Sequence, residues 1–291
     1  MSEIVNEKTR DDWKHTISSK NSLFNLNFKE IWNYRDLLVL FVKRDIITVY
    51  KQTILGPIWY LIQPIFTALI FTLIFNNVAG VQTEGVPAFL FNLAGITTWT
   101  YFKDCLLATS DTFKVNQHIF GKVYFPRIIV PLSVVVSNLI KFSIQVVIFT
   151  AFYIYYSFND ANIQLNSFFF LFPILVFIMG LLSFGLGMII SSFVTKYRDL
   201  IFLLQFGIQL LMYLSLVAYP LSLIQEKLPQ LSWIVEYNPM AHIIETMRYL
   251  LFDVGSFSIS WMLYTVLITF VVMILGIVTF NKTEKKFIDT I

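Results

Sequence analysis

The chain has 291 residues, of which 57% are hydrophobic and 13% are charged, and its formal net charge at pH 7 is +3. Because soluble domains carry about 25% charged residues, this composition excludes an ordinary soluble protein and predicts an all-α integral membrane protein. The single cysteine, Cys105, cannot form a disulfide within the chain, and the sequence lacks the spaced His and Cys residues of a metal site. We therefore expect no metal and no cofactor in this chain, and no nucleic-acid partner.

The first 53 residues are the most polar part of the sequence. We expect residues 1–30 to form a cytoplasmic tail, and their mixed charges argue against a cleavable signal peptide. Over residues 31–53, apolar side chains recur at helical spacing opposite a charged face, which predicts an amphipathic helix. Such a helix fits equally well on a membrane surface or against the rest of the protein. The apolar stripe contains Leu38, Val42, Ile46 and Val49.

Long apolar segments dominate the rest of the chain. A helix that crosses a bilayer needs about 20 predominantly apolar residues. We predict six transmembrane helices, over residues 54–77, 89–110, 128–156, 168–194, 200–219 and 257–280. The second is the most polar, because Asn92, Lys103 and Asp104 lie within it. Together they form a transmembrane domain over 54–280, which is followed by a cytoplasmic tail over 281–291.

The distribution of Lys and Arg predicts the orientation. Eighteen of the 21 basic residues lie in the N-terminal 53 residues, in 103–127, in 195–200 and in the C-terminal tail. The loops on the opposite side contain only Lys227 and Arg248. Because cytoplasmic loops are enriched in Lys and Arg, we expect both termini in the cytoplasm.

Two connections between the predicted spans are unusual. Residues 108–126, here called the coupling segment, are polar and long enough for a short cytoplasmic helix. Residues 220–256, the hairpin segment, are too apolar for a free external loop. Within them, Asn238 and Pro239 have the residue types of a helix cap and a first helical turn, and Glu245 and Arg248 would share one helix face. This pattern predicts a helical hairpin that re-enters the membrane from outside.

Several kinds of transport chemistry can be excluded or disfavoured. The only Gly-Lys pair, Gly121-Lys122, is followed by Val123 and lacks the earlier glycine of a phosphate-binding loop. This chain is therefore not its own ATPase, and ATP and Mg would be bound by a partner. Five of the six predicted spans contain no Asp or Glu, which disfavours a transporter driven by protons or sodium ions.

One cation and a set of aromatic side chains allow more than one interpretation. Lys141 lies inside the third predicted span, where it either meets an anionic substrate or extends toward the cytoplasmic surface, which is the simpler reading. Aromatic rings can stack on the apolar faces of sugars, but packing and lipid contact are the ordinary roles of such rings. Close helix packing is predicted around the small residues Gly185 and Gly187.

Three stretches resemble the membrane subunits of ABC exporters for bacterial surface polysaccharides, which include O-antigen, capsular polysaccharide and teichoic acid. They are VYKQTILGPIWYLIQP (49–64), LAGITTWTYFKDCLLATSDTFKVNQHIFGKVYFPRIIVPLS (93–133) and YNPMAHIIETMRYLLF (237–252). The resemblance implies a homodimer in the bacterial inner membrane with two copies of a separate ABC ATPase. It also implies a lipid-linked glycan as substrate, moved through a channel between the protomers.

The resemblance further assigns roles to residues of this chain. For ATPase coupling it implies Arg44, Tyr50, Lys51, Asp111, Thr112, Asn116 and Gln117. For the substrate channel it implies Trp59, Tyr60, Phe66, Phe202, Phe206 and Tyr213. For an external gate it implies Tyr219, Pro220, Asn238 and Pro239.

Two alternative functions remain at this stage. An ABC permease for a small lipid or drug would share the same architecture. A membrane-embedded acyltransferase that modifies glycans would need a catalytic His or carboxylate near the membrane surface, and only His118 and His242 are so placed.

Overall fold

The computed structural model describes residues 28–51, 56–159, 163–197 and 199–288. Nearly all of the predicted N-terminal tail lies outside these ranges. Every regular element within them is helical, in agreement with the predicted all-α class. Among the described residues, four helices are long and apolar enough to cross a membrane: Trp59–Val78, Ile129–Asn159, Phe169–Val194 and Ile259–Lys285.

The N-terminal part contains two helices where the sequence predicted one over 31–53. Helix α1 spans Phe28–Asn33 and helix α2 spans Arg35–Tyr50, with a turn at Tyr34 between them. Val42 of the predicted apolar stripe is buried, as is Phe41, which the stripe did not include. Helix α2 packs along the helix Ile129–Asn159, labelled α7 below, so it lies against the protein itself.

The first long helix changes its hydrogen-bonding pattern along its length. A single 3₁₀ turn, Gly56–Ile58, leads into helix α3 (Trp59–Phe71), which continues as a π-helix over Thr72–Val78. Asn92 of the next helix donates hydrogen bonds to Thr72 Oγ1 at 3.1 Å and to Asn76 Oδ1 at 2.7 Å. These bonds tie the π-helical end of α3 to the neighbouring helix.

Helix α4 (Ala88–Ser110) is the central helix of the described structure, because it packs against α3, α7 and the helix Phe172–Val194, labelled α8. Most of its polar residues are buried, and only Thr100, Lys103 and Asp104 in its second half are partly exposed. The hydroxyls of Thr97 and Thr98 donate to carbonyls one turn earlier in the same helix, at 2.7 and 2.8 Å. The helix tolerates these residues because protein surrounds it and its own backbone provides partners.

Close packing between α8 and the last helix, α13 (Ile259–Ile288), depends on glycine. A Cβ atom on Gly276 would lie 2.5 Å from the backbone oxygen of Gly185, and a Cβ on Gly185 would lie 2.9 Å from Met273 Cα. On the other side of α8, a Cβ on Gly187 would lie 2.5 Å from Thr109 Cβ of α4. The predicted close approach at Gly185 and Gly187 is confirmed.

The remaining elements lie at the two ends of the bundle. The coupling segment contains two one-turn helices, α5 (Thr112–Val115) and α6 (Gln117–Phe120). Helix α9 (Leu200–Leu214) packs on α4 and α8, and it ends five residues before the predicted limit of the fifth span, at 219. The hairpin segment contains three further helices: α10 (Leu221–Lys227), α11 (Ser232–Glu236) and α12 (Pro239–Phe252).

Candidate functional site

The coupling segment is anchored to the bundle by a cluster of aromatic rings. Phe113 stacks on Phe280 of α13 with ring centres 4.6 Å apart, and Phe120 lies 5.9 Å from Phe125. Phe41 of α2 joins the same cluster through Phe125, at 5.7 Å. All five rings are buried. The coupling segment therefore shares one apolar core with α2 and with the far end of α13.

A second anchor is the guanidinium of Arg127, which is buried directly after the coupling segment. Its Nη1 donates to the backbone oxygen of Glu284 at 3.1 Å, and its Nη2 donates to the backbone oxygen of Phe120 at 3.3 Å. Its Nε also lies 3.9 Å from the Glu284 carboxylate. Arg127 thus joins α6 to the end of α13, which lies within the predicted C-terminal tail.

Polar contacts connect the coupling segment through α2 to α7. Arg44 Nη2 lies 2.8 Å from Asp45 Oδ1, and Arg44 Nη1 donates to Asn116 Oδ1 at 3.5 Å. Ser137 of α7 donates to the other oxygen of Asp45 at 3.4 Å. The structure therefore brings together two predicted coupling residues, Arg44 and Asn116. Asp45 and Ser137 were missed, because no sequence pattern shows that α2 packs on α7.

The predicted coupling residues do not share one exposed surface. Thr112 and Asn116 are buried, and Asp111 has a buried Oδ1 that accepts no hydrogen bond within the described ranges. Burial raises the pKa of the Asp111 carboxyl, and Lys114 opposes this rise. Lys51 is exposed at the end of α2, while the side chain of Tyr50 lies outside the described residues.

The outward face of the coupling segment consists of other residues. Gln117 is the one exposed member of the predicted set in this segment. It is accompanied by Lys114, by Val115, which is 67% exposed, and by His118. Val115 and Gln117 therefore lie at the centre of the exposed surface of this segment.

The predicted channel residues lie on α3 and α9, which both pack on α4. Trp59, Tyr60 and Phe66 line one open cavity of about 580 Å³ on the surface of α3. Gln63 and Thr67 contribute polar groups to its wall. Sugar hydroxyls could bond to such groups while the apolar faces of the sugar stack on the rings.

The other three predicted channel residues lie on α9, outside that cavity. Phe202 and Phe206 are more than half exposed, and Tyr213 is nearly so. Rings this exposed in a membrane protein face lipid, a partner chain or a transported molecule.

Arg248 organises the hairpin end of the bundle. Its side chain is fully buried, and Nη1 and Nη2 donate to the backbone oxygens of Leu216 at 2.8 Å and Val217 at 2.7 Å. These carbonyls follow the end of α9, where Leu216 has a left-handed backbone with φ of 59°. The guanidinium thus holds the turn that follows α9, and Glu245 lies 3.8 Å from Nη1 on the predicted shared helix face.

The four predicted gate residues lie where α9 meets α10 and α12. The Asn238 side chain accepts from the Met240 backbone, so the predicted helix cap is confirmed. Its Nδ2 donates to the Leu214 carbonyl at 3.0 Å, which connects the start of α12 to the end of α9. The Tyr219 hydroxyl donates to the backbone oxygen of Tyr213, also on α9. Pro220 is buried, and Pro239 is the first residue of α12.

The two candidate histidines have different surroundings. The His242 ring stacks on Trp261 with centres 4.8 Å apart, and its Nε2 contacts the backbone oxygen of Glu236. Burial lowers the pKa of His242, and the backbone contact with Glu236 opposes this shift. His118 is exposed on α6.

Lys141 faces the start of α3. Its Nζ donates to Asn138 Oδ1 at 2.9 Å and lies 5.3 Å from the centre of the Tyr60 ring. Gln145, one turn further along α7, donates to the Tyr60 carbonyl at 3.3 Å. Lys141 is therefore held beside a predicted channel residue.

Comparison with known proteins places this architecture in a family. The model of the ABC-2 type transporter family matches residues 36–252, which include every helix from α3 to α12. Two proteins of Klebsiella pneumoniae named O-antigen export system permease protein RfbA are 29% and 28% identical to the chain, each over 254 residues, or 87% of this chain and 94% of the relative. A protein of the same name from Myxococcus xanthus is 25% identical over 226 residues, which cover 77% of this chain and 84% of the relative. The chain therefore belongs to the ABC-2 type transporter family and is a multi-pass membrane subunit of a transporter, not an enzyme.

Proposed function

We propose that this chain is the permease of an ABC exporter that moves a lipid-linked polysaccharide of the O-antigen kind out of a bacterial cell. The observation that carries the proposal is the similarity to three export permeases over most of their length, together with exposed aromatic side chains on α3 and α9. A sliding polymer needs broad, weak contacts, and ring stacking supplies them without a closed pocket.

Energy for transport would come from a separate ABC ATPase that binds ATP and Mg. Val115 and Gln117 would meet this partner, because they are the exposed centre of the coupling segment. Movement of the segment would pass through the buried rings of Phe113 and Phe120 to α13 and α2. From α2, the contacts of Arg44 and Asp45 lead to α7 beside the first span.

The proposed topology has six spans, with both termini and the coupling segment in the cytoplasm of the inner membrane. Helix α4 would be the second span, since the surrounding helices shield its polar residues. Helix α9 has 15 residues, or about 22 Å at 1.5 Å per residue, and a hydrocarbon core is about 30 Å thick. The capped turn after Leu214 and the external hairpin would complete the fifth span.

In the proposed assembly, two copies of the chain place their α3 and α9 faces around a common channel. Trp59, Tyr60 and Phe66 would contact the glycan near its entry, and Phe202, Phe206 and Tyr213 would line the opposite wall. Tyr219, Pro220, Asn238 and Pro239 would form the exit gate.

Export of surface polysaccharide in a strain that lacks its own permease gene tests the proposal. The wild-type chain, expressed with its ATPase, should restore polysaccharide at the cell surface. Val115→Asp should abolish export while the protein remains in the membrane, because a charge replaces the apolar centre of the contact. Lys227→Asp at the other end of the bundle is the matched control. Export by Val115→Asp at the wild-type level would contradict the coupling role.

A further inference from the structure

A groove of about 540 Å³ runs along the side of the bundle between helices α7 and α8. Its α7 wall extends from Leu132 to Val146, its α8 wall extends from Phe172 to Phe184, and Tyr101 of α4 forms the floor. Apart from Tyr101 and Ser143, every residue that lines the groove is apolar. The proposed function assigns no role to this groove.

The groove exists because α7 and α8 pack mainly on α4 and make few contacts with each other. At its floor, a Cβ atom on Gly180 would lie 2.9 Å from the Tyr101 hydroxyl and 3.5 Å from Val135 Cγ1. The floor therefore has no room for a side chain from α8 at this position. A gap between transmembrane helices loses dispersion contacts on each of its walls unless another molecule fills it.

The groove faces away from the α3 side of the proposed channel. Asn92 of α4 contacts the π-helical continuation of α3, whereas Tyr101 of the same helix forms the floor of the groove. Positions 92 and 101 are about two and a half turns apart at 3.6 residues per turn, so they lie on opposite faces of α4. Both walls of the groove belong to helices that are long and apolar enough to cross a membrane. The molecules next to the groove are therefore membrane lipids.

We propose that this groove binds one acyl chain of a membrane phospholipid. A linear hydrocarbon suits apolar walls, because it contains no polar group that would be buried without a partner. From Phe172 to Phe184, helix α8 rises about 18 Å at 1.5 Å per residue. One leaflet contributes about 15 Å, half of a hydrocarbon core of about 30 Å. The groove therefore has the length of an acyl chain in a single leaflet.

The chain would come from the leaflet at the hairpin end of the bundle. A second apolar cavity, of about 100 Å³, shares Phe142, Val146 and Phe172 with the groove. It continues toward Met247 and Leu251 of α12, which belongs to the hairpin segment. The headgroup would lie beyond this end, and the chain would extend along the groove toward the middle of the membrane. The bound lipid would fill the space between α7 and α8 and stabilise their arrangement around α4.

Thermal unfolding of the full-length chain in detergent tests the proposal. After removal of co-purified lipid, dioleoyl phosphatidylethanolamine should raise the Tm of the wild type by roughly 3 °C, as expected for a ligand that binds only the folded state. Dihexanoyl phosphatidylethanolamine has the same headgroup but chains too short to fill the groove, so it should leave the Tm unchanged. No shift with the long-chain lipid, or equal shifts with both lipids, would overturn the proposal.

Two matched variants test whether the lipid binds in this groove. Ser143 is exposed and its hydroxyl donates within α7, so Ser143→Phe places a ring in the groove without breaking a contact between helices. This variant should lose the Tm shift. Val147→Phe places the same ring one turn later, at a position that is 69% exposed and outside the groove, and should respond as the wild type does. Equal responses of the two variants to the long-chain lipid would overturn the proposal.

Photolabelling of the wild type tests the site without relying on a variant that folds. Phosphatidylethanolamine with a diazirine in one acyl chain should label both walls of the groove, at residues such as Leu139 and Phe177, which are 38% and 65% exposed. Ser143→Phe should lose this labelling, and Val147→Phe should retain it. Labelling spread evenly over all the exposed apolar helices would indicate ordinary lipid contact and overturn the proposal, as would the absence of label from the groove.

Discussion

Arg248 Nη2 donates a hydrogen bond of 2.7 Å to the backbone oxygen of Val217, 31 residues earlier in the chain. Through this contact the hairpin segment holds the end of α9 in place. The same guanidinium lies 3.6 Å from the centre of the Phe91 ring, so α4 forms the third side of the site. Arg248 therefore links α4, α9 and α12 at a single buried point.

The first prediction concerns the loss of this link. Arg248→Met removes the donors to the carbonyls after α9 and leaves Glu245 without its neighbouring cation, so we expect a loss of about 3–5 kcal/mol in the free energy of unfolding. Thermal unfolding in detergent measures the effect. Adding Glu245→Gln to Arg248→Met should recover part of the loss, because the uncompensated charge is gone. An unchanged Tm for Arg248→Met would contradict the stabilising role of these hydrogen bonds.

The second prediction concerns the glycine beneath the guanidinium. A Cβ atom on Gly95 would lie 2.5 Å from the Val217 oxygen and 2.8 Å from Arg248 Nη2, so Gly95→Ala must displace one of them. We expect a loss of about 1–3 kcal/mol, as for other overpacked sites. Gly207→Ala is the control, because a Cβ there has no neighbour within 4 Å. Equal unfolding temperatures for the two alanine variants would contradict the predicted overpacking at Gly95.

The third prediction distinguishes a residue that anchors the coupling segment to the bundle from one that would contact the partner ATPase. Phe113→Ala removes a buried ring that stacks on Phe280, and it should cost about 3–5 kcal/mol of stability. Val115→Ala, two residues later, changes an exposed side chain and should leave the Tm within 1 °C or so of the wild type. Export should fall in both variants, for different reasons. Melting curves and export assays on the same pair distinguish the two roles.

The fourth prediction concerns pH. Burial raises the pKa of Asp111 above its ordinary value of 3.8, so the folded protein binds this proton more tightly than the unfolded chain. The contribution of Asp111 to the free energy of unfolding is therefore greatest at low pH. It decreases as pH rises through the pKa that Asp111 has in the folded protein. Asp111→Asn should be more stable than the wild type at pH 7, and the difference should vanish as pH falls below about 3.8. A destabilised Asn variant at pH 7 would show that the carboxylate has a partner.

The fold could be predicted from sequence wherever a local pattern decides the outcome. The helix cap at Asn238 and the shared face of Glu245 and Arg248 depend on residues within a few positions of each other. Each involves geometry that the backbone imposes by itself. These features appear in the structure as predicted.

The parts that could not be predicted depend on contacts between distant segments. Its polar residues made α4 the least apolar predicted span, yet most of its residues are buried, because enclosure by neighbouring helices replaces the need for an apolar surface. The turn after α9 is held by Arg248, which the chain brings there from the hairpin segment. The burial of Thr112 and Asn116 could not be predicted, because the one-turn helices α5 and α6 are too short to show periodicity.

ATP-dependent translocation in proteoliposomes is the most direct test of the central claim, that this chain exports a lipid-linked polysaccharide with the energy of a partner ATPase. The purified chain and its ATPase are reconstituted with fluorescently labelled lipid-linked O-antigen, and the glycan that reaches the opposite membrane face is measured with an impermeant quencher. We predict transfer that requires ATP, the ATPase and an intact coupling segment, with none for Val115→Asp. Transfer that proceeds without ATP, or ATP-driven movement of small lipids but not of the glycan, would contradict the account.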